Sequence, residues 1–88
     1  MEKRHDEQLT ARIEEVANNG WALIQWWEAY LWYDQQKLGK NFWRDLKSRF
    51  DDCKPNKTAE LSFIPSNGAL LLINAANVET LSAKIGEQ

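Results

Sequence analysis

The sequence predicts a small α+β domain of order α-α-α-β-β-α, three helices followed by a β-hairpin and a C-terminal helix. Three observations predict it. Apolar residues recur at helical spacing in the stretches 4–17, 42–50 and 78–85, and an aromatic run at 21–33 is long enough for a further helix. Pro65-Ser66-Asn67-Gly68 separates two short apolar runs, as a hairpin turn does. The length, 88 residues, suits a single domain spanning 1–88, with 1–4 and 86–88 expected to fray.

In the first helix, expected over 4–17, Leu9, Ile13, Val16 and Ala17 form a stripe between charged residues, and Asn18-Asn19-Gly20 ends it in a left-handed turn. The second is expected from Trp21 to Leu38, stopping at Gly39. Its first part, WALIQWWEAYLWY, holds four of the five tryptophans and both tyrosines, interrupted by polar atoms only at Gln25 and Glu28. Apolar side chains then point almost all the way round the helix, so it must be covered on several sides, and the two helices are expected to pair antiparallel. Asn41 is expected to cap a third helix carrying Phe42, Leu46 and Phe50 on one side. Pro55 and Asn56 break that pattern. Leu61, Phe63 and Ile64 suit a half-buried strand, the Asn-Gly of the turn supplies a left-handed residue, and Ala69 to Ile73 returns as a strand buried on both faces. Asn74 or Asn77 caps a last helix with Val78, Leu81 and Ile85 along one side and Gly86 at its end.

Composition narrows the chemistry. Net charge is −2, yet residues 37–57 hold seven basic side chains against three acidic ones. A basic middle in an acidic chain binds anions or complements its own flanks; the second is the expected use. The lone Cys53, beside Asp51 and Asp52, lacks the cationic neighbours that lower a thiol pKa, and is read as a bystander. His5, the only histidine, lies near a fraying terminus, and neither Glu14-Glu15 nor Asp51-Asp52 is placed like two acids flanking a bond. Asp51, Asp52 and Cys53 are the only metal-type cluster, and a weak one. No catalytic residue, metal or cofactor is predicted. No apolar run approaches the ~20 residues that cross a bilayer, and a cytoplasmic location is the default.

What remains is binding. Tryptophan and tyrosine are enriched at interface hot spots, so Trp26, Trp27, Tyr30 and Tyr33 are the predicted partner-binding residues, with the Trp26–Tyr30–Tyr33 side expected to lie exposed or against a second copy. The sequence thus predicts a non-catalytic protein-binding module, of the kind that serves as inhibitor, adaptor or assembly factor and is common among phage-encoded proteins. The partner is another protein or the chain itself as a homodimer; a membrane is not expected, because the polar positions of the aromatic stretch offer Glu28 and Asp34 rather than Lys and Arg.

A second reading comes from element order. Three helices and then a hairpin resemble the winged-helix arrangement of nucleic-acid-binding domains. The resemblance makes Phe42–Phe50 the recognition helix, with Arg44, Lys47 and Arg49, joined by Lys40, Lys54 and Lys57, meeting phosphates or base edges. The turn Pro65–Gly68, in the place of the wing, carries no positive charge.

Overall fold

A computed structural model describes residues 1–33, 39–54 and 56–86. The chain is a small single α+β domain, with its helices joined to a three-stranded antiparallel sheet. In chain order the elements are α1 (Lys3–Asn19), β1 (Trp21–Gln25), α2 (Trp26–Tyr33), α3 (Lys40–Cys53), β2 (Leu61–Pro65), β3 (Ala69–Asn74), a 3-10 turn (Ala75–Asn77) and α4 (Leu81–Gly86).

The stripes read from the sequence do bury α1 and α3. Leu9, Ile13, Val16 and Ala17 from α1 and Phe42, Leu46 and Phe50 from α3 join Ala22, Ile24, Leu70 and Leu72 of the sheet in one core. His5 also lies buried on α1, which already begins at Lys3, rather than in a frayed end.

The largest departure is in the aromatic run. Trp21–Gln25 is a strand, not the first turns of a helix; the helix starts at Trp26, and the expected continuation to Leu38 lies outside the described residues, as does Pro55. The cause is the turn before it. Gly20 sits at φ +97°, and its N–H closes α1 on the Val16 carbonyl at 3.0 Å. The chain therefore reverses within one residue and meets the free edge of β3, with Trp21 opposite Ile73, Leu23 opposite Leu71 and Gln25 opposite Ala69. It is this strand that runs back against α1. A Cβ on Gly20 would stand 2.9 Å from Asn77 Nδ2, in a conformation L-residues rarely adopt. Gly20→Ala is thus expected to lower stability by about 1–2 kcal/mol from the left-handed backbone alone, measurable by urea unfolding with an unchanged m-value.

Smaller corrections follow the same logic of competing partners. Gly39, not Asn41, precedes α3, and no side chain caps it. The hairpin forms where expected, closed by the Ser66 N–H on the Ala69 carbonyl at 2.9 Å, but among the described glycines only Gly20 has positive φ, so Gly68 does not supply a left-handed residue. Pro65 ends β2 opposite Leu70, a position whose backbone nitrogen faces away from β3, so its missing N–H costs the ladder nothing. Asn74 caps the 3-10 turn, its side chain accepting from the Ala76 N–H, rather than a helix. Val78, Leu81 and Ile85 are exposed, so the apolar side expected along the last helix is not buried.

Candidate interaction surface

A strand sends alternate side chains to opposite faces, and the register decides which residues of three strands share one. On the covered face lie Ala22, Ile24, Leu70 and Leu72, against the helices. On the other, Trp21, Ile73 and Ser62 form one cross-strand row and Leu23, Leu71 and Ile64 the next. Among the described residues no element covers this second face: Trp21 is 60%, Leu23 42% and Ile64 53% exposed, with Leu71 and Ile73 half-buried between them. Burial of β3 on both faces, expected from its LLLI run, is therefore complete on one side only.

The four predicted aromatic residues divide. Trp27, 64% exposed, and Tyr30, 39%, face outward with Leu31. Trp26 and Tyr33 do not. Trp26 is half-buried against the core and donates its indole N–H to the Ser66 carbonyl at 2.6 Å, tying α2 to the hairpin turn. Tyr33 packs edge-to-face on Phe42, ring centroids 5.0 Å apart, and its hydroxyl donates to Asp45. Burial first, and then the neighbouring Asp45 carboxylate, push the Tyr33 hydroxyl pKa far above the usual tyrosine range, so it stays a donor. Trp32 is buried as well, its indole N–H donating to Gln8 at 3.0 Å and the Arg12 guanidinium 5.6 Å from its ring.

Residues that sequence reasoning passed over make up most of the surface: Leu23, Leu31, Ile64, Leu71 and Ile73. In Trp-Ala-Leu-Ile-Gln both faces are apolar, so no polar–apolar alternation betrays the strand, and only the small Ala22 between Trp21 and Leu23 hints at it.

The edge of β1 is partly capped by side chains. Asn74 donates to the Gly20 carbonyl and Trp26 to that of Gly68, so residues 20, 22, 24 and 26 bond toward β3 and residues 21, 23 and 25 turn their backbone groups outward. Arg12 donates to the outward Leu23 carbonyl at 2.8 Å, and Glu28 accepts from the outward Gln25 N–H at 3.0 Å. The two side chains also bind each other through two hydrogen bonds, of 2.8 and 3.1 Å. Burial tends to raise the Glu28 pKa, but Arg12 and the Gln25 N–H together outweigh it and hold the carboxyl below the ordinary glutamate value.

The predicted basic set does not form one free face. Arg49 is turned inward, paired with Asp6 at 2.7 Å and Asp45 at 3.0 Å and donating to Thr10 at 2.8 Å, which joins the basic middle to the acidic first helix. Lys47 bonds Asp51 at 2.7 Å, and Lys54 lies 3.9 Å from the same carboxylate. Lys40, Arg44 and Lys57 are exposed. Burial, and after it Glu14 and Asp52, raise the Cys53 thiol pKa above its ordinary value. Among the described residues no three His, Cys, Asp or Glu side chains gather as metal ligands, and no helix is long and apolar enough to cross a membrane. Compared with protein-family models, with curated proteins and with solved structures, the chain finds no match.

Proposed function

We propose that this chain is a non-catalytic module that binds another protein stoichiometrically, as an inhibitor, adaptor or assembly factor does, through the apolar surface built by its aromatic segment. The open sheet face carries this reading: Trp21, Leu23 and Ile64 stand exposed around Leu71 and Ile73 as one contiguous apolar patch. Contiguous patches of this kind on small domains mark interaction sites. Trp27 follows two residues after the strand ends and, with Tyr30 and Leu31, supplies aromatic anchors beyond it.

A second protein fits better than a second copy. Three strands present a footprint of only ~14 by ~17 Å, from strand spacing and rise, and stable interfaces cover ~800 Å² per partner. Stacking two such faces leaves the interface short. A partner that reaches past the strands onto α2 does not have this shortfall.

The nucleic-acid reading draws less support, because Arg49 and Lys47 are engaged with carboxylates of the chain itself.

Leu23→Asp and Ile64→Asp place a charge on the open face without touching the core. With folding confirmed by circular dichroism, both are expected to weaken capture of a discrete, nuclease-resistant protein at one-to-one stoichiometry by 100-fold or more, on the order of two desolvated hot spots. Capture that ignores both substitutions sinks the proposal. So does a wild-type homodimer in light scattering that either substitution converts to monomer, or capture lost on nuclease treatment.

A further inference from the structure

The two edges of the sheet are treated differently. Arg12 and Glu28 take up one carbonyl and one N–H on the outer edge of β1, whereas no outward backbone group of β2 has a partner among the described residues. Ser66 bonds to Ala69, so Ile64 and Ser62 continue that ladder with Leu71 and Ile73, while Leu61, Phe63 and Pro65 turn their backbone groups outward. No hydrogen-bond partner of the Leu61 and Phe63 N–H and C=O groups lies among the described residues. Unpaired edge groups are what a strand from another chain satisfies.

Beside that edge runs a groove of about 520 Å³ between α3 and β2. Its apolar lining is Trp43 and Leu46 from α3, Leu61 and Phe63 from β2, and Leu72 from β3. Phe63 is 48% exposed although its ring stacks on Trp43 at 4.6 Å, so the stack is one wall of an open cleft, not part of the sealed core. A fourth strand laid along β2 would alternate its side chains between this groove and the open sheet face, with α3 as a second wall. That is the geometry of strand addition beside a helix.

Charge selects the occupant. Lys47, Lys54 and Lys57 line the groove against Asp51 and Glu60. Asp51 is already held between Lys47 and Lys54, and Lys57 makes no ion pair among the described residues. We infer that the groove binds an extended acidic segment of another protein, added antiparallel or parallel to β2 as a fourth strand, with large apolar residues at alternate positions entering between Trp43 and Phe63. The edge and groove adjoin the face around Leu23 along Ser62 and Ile64 of β2, and protection of the Leu61 and Phe63 amides is what separates this inference from binding at that face. Pro65 limits the register, since it offers an acceptor but no donor at the end of the edge.

The test is selection of a displayed random dodecapeptide library on the immobilised full chain, followed by titration of synthesised hits into ¹⁵N-labelled protein. The expected hits carry alternating large apolar residues and Asp or Glu, and they protect the Leu61 and Phe63 amides from exchange. Leu61→Pro, which removes one outward N–H and leaves the β3 ladder intact, is expected to bind them about tenfold more weakly than Leu61→Ala. An absence of enriched peptides, enrichment of basic ones, or equal binding by the proline and alanine variants overturns the inference. Protection centred on Leu23 and Ile73, or Leu61 and Phe63 amides already protected by self-association without peptide, overturns it too.

Discussion

Phe42→Ala is expected to bring the domain close to unfolding. Phe42 is 1% exposed and touches aromatic rings on two sides, Tyr33 at 5.0 Å and Trp43 at 4.8 Å between centroids, both edge-to-face. Truncating a phenylalanine at such a site removes transfer energy and leaves a cavity, together about 3–5 kcal/mol. Whole domains of this size hold about 5–15 kcal/mol. The loss also spreads: Tyr33, no longer backed by Phe42, holds Asp45, and Asp45 holds Arg49, which links α3 to Asp6 and Thr10 of α1. In thermal unfolding the midpoint should fall by at least roughly 12 °C, at about 4 °C per kcal/mol for a domain of this length. Phe42→Leu, which keeps most of the volume, should cost less than half as much. Equal losses for the two would mean that the ring contacts, rather than filled space, stabilise this corner.

The second large effect belongs to the Arg12–Glu28 pair. Glu28→Gln leaves the Arg12 guanidinium, with its side chain 30% exposed, without its carboxylate and weakens the cap on the Gln25 N–H. A loss of about 1–3 kcal/mol is expected for a part-buried, charge-assisted pair. Its dependence on pH has a definite sign. The folded Glu28 pKa is lowered, so between the folded and unfolded values the unfolded chain binds more protons and stability rises with pH. The contribution is present in full above the ordinary glutamate value of ~4.3 and disappears as pH falls through the folded pKa. Wild type and Glu28→Gln should therefore differ most near neutrality and converge only in acid, below the ordinary glutamate range, in denaturant titrations. A difference that does not shrink in acid would assign the effect to packing. Arg12→Met should in addition raise aggregation, because it frees the Leu23 carbonyl on an edge strand whose outward side chains, Trp21 and Leu23, are apolar.

Both effects come from residues that the chain announces unequally. Phe42 was legible as core because Phe42, Leu46 and Phe50 alternate with charged residues, and a polar–apolar contrast at 3.6-residue spacing can be seen without knowing what lies opposite. The same contrast exposed Leu9, Ile13 and Val16. The hairpin was legible from Pro65-Ser66-Asn67-Gly68, whose residue types favour a turn through their own backbone limits. The Arg12–Glu28 cap was not. It depends on β1 being an edge strand, and nothing local makes Trp21–Gln25 a strand.

Local chemistry alone, then, determined the stripes of α1 and α3, the hairpin, the left-handed stop at Gly20 and the charge imbalance that Arg49 resolves against Asp6. Pairing across the fold decided the rest. An apolar segment such as Trp-Ala-Leu-Ile-Gln satisfies a helix and a strand equally well, so the free edge of β3, some 45 to 50 residues later in the chain, chose between them. That choice moved Trp21 and Leu23 onto an open sheet face, drew Trp26 and Tyr33 into hydrogen bonds, and left β2 with its outer backbone groups unpaired. Surfaces and edges arise only when distant strands meet, because hydrogen-bond partners, unlike turn preferences, are supplied from elsewhere in the chain.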